Sequence, residues 1–207
     1  MTTFNIGVWS KGLSDEIGIA YLNFKSMYKH HGKYSEDVKF YNFIQPVNIS
    51  EADDIIHYDY ENMDYIFLGI YVWNNDYAFN LMNEYPNKKF IVGGPDVNFY
   101  DLDLPDNVYA ICEGEGEVPI LDIVNNLYEG ISLGNIEGVW IKENRKFVRP
   151  RQKARRIGWT EGFGKGGQNF VEINHSPILD NKEEILQAVE KGASTIVFNW
   201  SLGCPYG

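Results

Sequence analysis

The sequence predicts a doubly wound α/β fold: a parallel sheet of about five strands with helices on both faces, then a β-hairpin and linker, then the opening βα piece of a second α/β unit. Three observations carry this. Apolar runs of strand length alternate with helical periodicity about five times over roughly the first 130 residues. Two of those runs, Tyr65–Val72 and Phe90–Val92, are continuously apolar, as in strands buried on both faces. The second runs straight into Gly93, Gly94 and Pro95, where missing side chains and a fixed turn leave backbone open to a flat ligand. Open α/β sheets bind ligands at such carboxyl ends.

Taken in order, Phe4, Ile6 and Val8 mark a first strand, Phe4–Trp9. After the polar turn Ser10-Lys11-Gly12, Ser14 is placed to cap a helix with Asp15 and Glu16 in its first turn. Ile17, Tyr21, Phe24 and Tyr28 extend that helix at helical spacing to about His30. Adjacent His30 and His31 point in different directions from a helix and read as surface residues. Val38–Ile44 is a second strand, and Ser50 would cap a short helix from Glu51 to about Tyr58. The strand Tyr65–Val72 leads through Trp73-Asn74-Asn75 into a helix over 76–84. Tyr109–Cys112 is a further strand, and Pro119 sits where a first helical turn accepts it, with the helix running to about Tyr128. Val139–Ile141 and Lys146–Val148 flank Glu143-Asn144 as a hairpin. The stretch 149–169 is basic and then glycine-rich, as linkers are. A helix from about Asn181 to Lys191 and a strand, Ser194–Asn199, open a second unit, and the chain reads as truncated directly after it. The expected organisation is residues 1–133, a Rossmann-like or flavodoxin-like domain; 134–175, hairpin and linker; and 176–207, the start of a second domain.

Charge narrows the function classes. The 207 residues carry 18 basic and 29 acidic groups, a net charge of −11, which argues against general nucleic-acid binding. Eight of the 18 basic residues fall between Lys142 and Arg156, as a solvated linker or a docking patch. No run of eighteen apolar residues predicts a membrane span, and the N-terminus lacks signal-peptide composition. Two cysteines are too few for a disulfide framework, so a cytoplasmic location is expected. Cys112, at an apolar strand end, reads as a small buried side chain.

The loops at the carboxyl strand ends, Tyr71–Asn75, Gly93–Val97 and Glu113–Glu117, should converge on one edge. They contain no lysine or arginine, and Glu113, Glu115 and Glu117 would repel a phosphate. The loops suit a large, weakly charged ligand whose amide groups donate to carboxylates. A receiver-like reading fails because Tyr71–Asn75 holds no aspartate.

Three segments, Gly69-Ile70-Tyr71-Val72-Trp73-Asn74, Ile91-Val92-Gly93-Gly94-Pro95 and Cys112-Glu113-Gly114-Glu115-Gly116-Glu117, resemble the cobalamin-dependent radical S-adenosylmethionine enzymes. Asn174-His175-Ser176-Pro177-Ile178-Leu179 is similar to the stretch that often precedes their radical domain, and Gly203-Cys204-Pro205-Tyr206-Gly207 to the start of their CxxxCxxC motif. The resemblance implies an N-terminal cobalamin-binding domain and a partial radical S-adenosylmethionine barrel. It implies corrinoid-binding roles for Lys11, Gly12, Asp15, Tyr71, Val72, Trp73, Asn74, Gly93, Gly94, Pro95, Glu113, Gly114, Glu115 and Gly116. Tyr71 and Trp73 would flank the corrin edge, and Gly93-Gly94 would lie under the dimethylbenzimidazole tail. Cys204 would ligate a 4Fe-4S cluster in a complete chain, where S-adenosylmethionine is cleaved and cobalamin carries a methyl group. This chain stops one residue before the second cluster cysteine would fall. Family domains that ligate cobalt through histidine carry Asp-x-His-x-x-Gly; aligning Gly18 with that glycine puts Leu13 and Asp15 at the other two positions, which implies base-off cobalamin without a histidine ligand. The expected partners are cobalamin and a radical S-adenosylmethionine domain on a longer or separate chain. The alternative is a non-catalytic corrinoid-binding or protein-interaction module.

Overall fold

Residues 3–12, 18–46, 58–97, 104–114, 116–117, 119–148, 150, 156–158, 170–172 and 176–191 are described by the structure, a computed structural model. Five parallel strands form in the predicted places: β1 (Phe4–Gly12), β2 (Val38–Pro46), β3 (Tyr65–Gly69), β4 (Phe90–Gly93) and β5 (Val108–Cys112). Their spatial order is β2-β1-β3-β4-β5, so the direction of winding reverses between β1 and β3. Along β3, Ile66 and Leu68 face one layer while Phe67 faces the other, and all three are buried. That two-sided burial is why these strands read as unbroken apolar runs.

One face packs against α1 (Ile19–His31) and α3 (Pro119–Glu129) through Tyr21, Leu22, Met27, Ile120, Ile123 and Leu127. The other packs against α2 (Asn75–Glu84) through Tyr77, Ala78, Leu81 and Met82, and against Tyr60 in a single 3-10 turn, Tyr60–Asn62. Helices therefore cover both faces, and none of those described is long and apolar enough to cross a membrane.

Several local details differ from expectation. The first helix starts at Ile19, with Gly18 as its N-cap; a Cβ on Gly18 would lie 2.7 Å from the Ser10 hydroxyl, so the helix start is wedged against β1. Ser14, the expected cap, lies outside the described residues. Strand β3 stops at Gly69 rather than Val72, because the following residues turn back on themselves. The expected helix over 51–58 falls largely outside the described residues, and the strand Ser194–Asn199 does so entirely.

The hairpin forms, as β6 (Val139–Glu143) and β7 (Lys146–Val148), but it extends the main sheet to seven strands, with β6 antiparallel to β5. Val139 packs into one core and Trp140 against the other, so β6 has the two-sided burial of a sheet strand. Between these strands, Asn144 and Arg145 both have left-handed backbone, φ 49° and 66°, as a two-residue type I′ turn requires. Beyond the hairpin, β8 (Arg156–Gly158) and β9 (Phe170–Glu172) form a separate parallel pair that the sequence did not signal. The expected helix over 181–191 forms as α5 (Lys182–Glu190), preceded by a short α4 (Pro177–Asp180).

Candidate functional site

The register of the sheet places Gly69, Gly93 and Cys112 side by side at the carboxyl ends of β3, β4 and β5. Two adjacent strands thus end without side chains. Next to them the β3–α2 loop is closed by Asn74, which is fully buried. Its side-chain oxygen accepts from the Tyr71 amide at 2.7 Å, and its side-chain nitrogen donates to the Gly69 carbonyl at 2.8 Å. Asn74 therefore shapes the loop from inside.

What the loop presents outward is aromatic. Tyr71 lies over Gly69, where a Cβ would meet its ring at 3.2 Å. The indole of Trp73 stacks on Tyr71 with ring centroids 4.8 Å apart and planes 14° from parallel. Trp73 is 65 % exposed and Val72 71 %. Two large apolar side chains are thus exposed next to each other on one loop.

The two glycines of β4 differ in role. Gly94 has φ +111°, and a Cβ there would lie 2.2 Å from the Ile70 carbonyl oxygen, so the protein's own backbone fills that space. Gly93 is partly exposed and its Cβ position is 3.3 Å from the Cys112 carbonyl, close but without overlap. Of the pair, Gly93 is the one that leaves open backbone at the edge. Pro95 is exposed beside it.

The β5–α3 loop is held by residues from distant elements. Glu113 accepts from the Trp140 indole at 3.0 Å, and its amide donates to the Gly138 carbonyl at 2.8 Å. Glu117 accepts from the Asn23 side chain at 3.2 Å. Gly116 faces Phe24, whose ring would stand 2.9 Å from a Cβ. Gly114 is exposed with φ +86°. Burial first, then the Glu117 and Glu113 carboxylates, push the Cys112 thiol up to about 12, and burial with Glu117 also raises the Tyr71 phenol. Cys112 is thus a protonated core side chain, not a nucleophile or ligand at neutral pH.

Lys11 and Gly12 end β1 on the same edge of the sheet. Asp15, Glu115 and Cys204 lie outside the described residues. Asn23, Phe24 and Trp140 belong to the edge but carried no local signal, because they reach it from α1 and β6. His30 and His31 are exposed at the other end of α1, and among the described residues no group of three or more histidine, cysteine or acidic side chains could hold a metal. A groove of about 360 Å³ lined by Lys89, Asn107, Tyr109, Ser132 and Lys142 opens at the opposite, amino-terminal edge of the sheet.

No family model matches the chain, and no curated protein matches it. Solved structures do. A radical S-adenosylmethionine methyltransferase, TsrM, from Kitasatospora setae, with cobalamin and a 4Fe-4S cluster bound, superposes with TM-score 0.53 at 14 % identity, over 81 % of this chain and 32 % of its own. The cobalamin-dependent S-adenosylmethionine radical enzyme OxsB, with aqua-cobalamin and S-adenosylmethionine bound, gives TM-score 0.53 at 16 % identity, over 89 % of this chain and 25 % of its own. The fold is shared. The chain spans a quarter to a third of the length of these proteins.

Chemically, the edge offers a paired aromatic wall, one stretch of accessible backbone at Gly93, and two oriented carboxylates. It can bind a broad ligand by stacking and by accepting amide N–H groups. The three loops offer no lysine or arginine for a phosphate.

Proposed function

We propose that this chain is the cobalamin-binding portion of a radical S-adenosylmethionine enzyme, with the corrinoid at the carboxyl edge of β3, β4 and β5. The observation that carries the reading is the open edge itself: adjacent strands ending at Gly69 and Gly93, flanked by the half-buried Tyr71 with the exposed Trp73 stacked on it. The residues present fit the group. A corrinoid is broad and amide-fringed, which matches accessible backbone, aromatic rings and the Glu113 and Glu117 carboxylates. Lys11 and Gly12 of β1, Gly114 and Pro95 would border it. Gly94 and Asn74 would support the loops rather than touch it. His30 and His31 lie in the last turn of α1, away from this edge, and neither would ligate cobalt; the base-off state is what the family resemblance implies. When bound, cobalamin supplies methyl-group carriage; the chain's own residues bind it, orient it and shield one face from water. Cys204 would ligate a cluster only together with the two further cysteines of the motif it resembles, and cleavage of S-adenosylmethionine would need that complete cluster.

The test is a visible absorption titration with hydroxocobalamin and methylcobalamin. One cobalamin per chain with a base-off spectrum is expected, with Trp73→Ala and Gly93→Ala each weakening binding by about tenfold, the size of one lost stacking or backbone contact. Absence of binding at high micromolar cobalamin overturns the reading, and unchanged affinity in both variants moves the ligand away from this edge. The exposure of Val72 and Trp73 favours one second reading, a protein-interaction module that buries them against a partner. It becomes the leading account if cobalamin does not bind.

A further inference from the structure

Helix α1 carries two sets of contacts that interleave along the same turns. Toward the β5–α3 loop, Asn23 holds Glu117 and Phe24 lies against Gly116. On its outer side, residues 180–184 are docked. Asp180 accepts from the Ser26 hydroxyl and sits 2.9 Å from His30 Nε2; Glu184 accepts from the Tyr21 hydroxyl at 2.8 Å and pairs with Lys25. Asn181, 3 % exposed, donates to the Leu22 carbonyl at 3.4 Å, and Ser26 is fully buried.

Asp180 meets the second half of α1 and Glu184 the first half. The segment therefore runs antiparallel to α1, toward the sheet edge that holds the candidate site. Its two carboxylates, Asp180 at the end of α4 and Glu184 in α5, are four residues apart across the break at Asn181, and meet partners about one turn apart on α1. A slip by a turn would leave buried polar groups unpaired, so the contact selects a single register more than it adds stability. The apolar contribution is small, since Ile185 is the one buried residue among those of α4 and α5.

We infer that α1 is a shared strut: segment 176–191, docked in this register, holds α1 where Asn23 and Phe24 fix the Gly116–Glu117 loop, so undocking loosens the ligand edge. Asp180 and Glu184 are then positioning residues that never touch the ligand. The part of the test that uses cobalamin rests on the function proposed above; the part that uses hydrogen exchange does not.

The experiment compares full-length wild type, Asp180→Asn with Glu184→Gln, and the milder Tyr21→Phe, which removes one hydroxyl and keeps the ring if the first variant fails to fold. Amide exchange is expected to rise about tenfold in 182–190, and about threefold or more in 116–124, the signature of a local opening that spreads through a shared element. Faster exchange confined to 182–190, or none in either segment, overturns the inference. Hydroxocobalamin affinity should fall about three- to tenfold in the same variants, a coupling of ordinary size. If wild type binds cobalamin and the variants bind equally well, the strut is refuted. If wild type does not bind, the cofactor reading fails, and the exchange data alone decide the strut.

Discussion

Gly93 and Gly94 are neighbours in sequence, yet different constraints keep each a glycine. At Gly94 a side chain would need both a left-handed φ of +111° and space already held by the Ile70 carbonyl, 2.2 Å away. Gly94→Ala should lower stability by about 2–4 kcal/mol in urea unfolding, from strain plus displaced backbone. Gly93→Ala needs the chain to yield by a few tenths of an ångström and should cost about 1 kcal/mol or less. That contrast makes Gly93 the usable probe of ligand binding. Cys112 gives a second prediction: with its thiol pushed up to about 12, it should resist a thiol reagent at pH 8 in folded Cys204→Ala protein and react once the chain is unfolded. A third concerns Asp180. Burial alone would raise this carboxyl, but the Ser26 hydroxyl, His30 and Lys29 outweigh burial and bring it down to about 2 from 3.8. A depressed folded value means the stabilisation is complete above about pH 4 and is lost as pH falls through 2. Acid unfolding of wild type should therefore steepen in that window, and Asp180→Asn should flatten it.

At the scale of elements, the β6–β7 hairpin shows how local geometry and tertiary context divide the work. Its turn places Asn144 and Arg145 in left-handed backbone, a conformation asparagine tolerates and arginine does not favour. Arg145→Gly would produce the preferred Asn-Gly pair and should raise stability by about 0.5–1 kcal/mol in thermal unfolding. The strands themselves are read from short apolar segments, but nothing in those segments says that β6 will add to β5. The pairing of Cys112 with Val139 and of Ile111 with Trp140 does that, and it brings the Trp140 indole to Glu113.

For the whole molecule, the same pairing sets how much chain the first unit needs. A fragment ending at residue 133 would expose the β5 edge and lose Ile136, Val139 and Trp140 from its two cores. It should be less stable by several kcal/mol than a fragment ending at residue 150, at about 25 cal/mol per Å² of apolar area returned to water. Calorimetry on the two fragments checks this, and equal stability would support the boundary at residue 133 read from sequence. The docked helix α5 adds a second long-range constraint, because it ties residues 180–184 to α1 across more than a hundred residues of chain.

The sequence by itself determined the doubly wound α/β class, the places of the five parallel strands and the loops that meet at their carboxyl ends. It could do so because burial on two faces writes itself into continuous apolar runs, and because the strand–helix alternation is local. Only the tertiary structure separated Gly93 from Gly94 and turned Asn74 inward. It alone joined the hairpin to the sheet and brought Asn23, Phe24 and Trp140 to the candidate edge. Each of those outcomes depends on atoms from segments far apart in the chain coming within a few ångströms, and no periodicity or composition within one segment records such a distance.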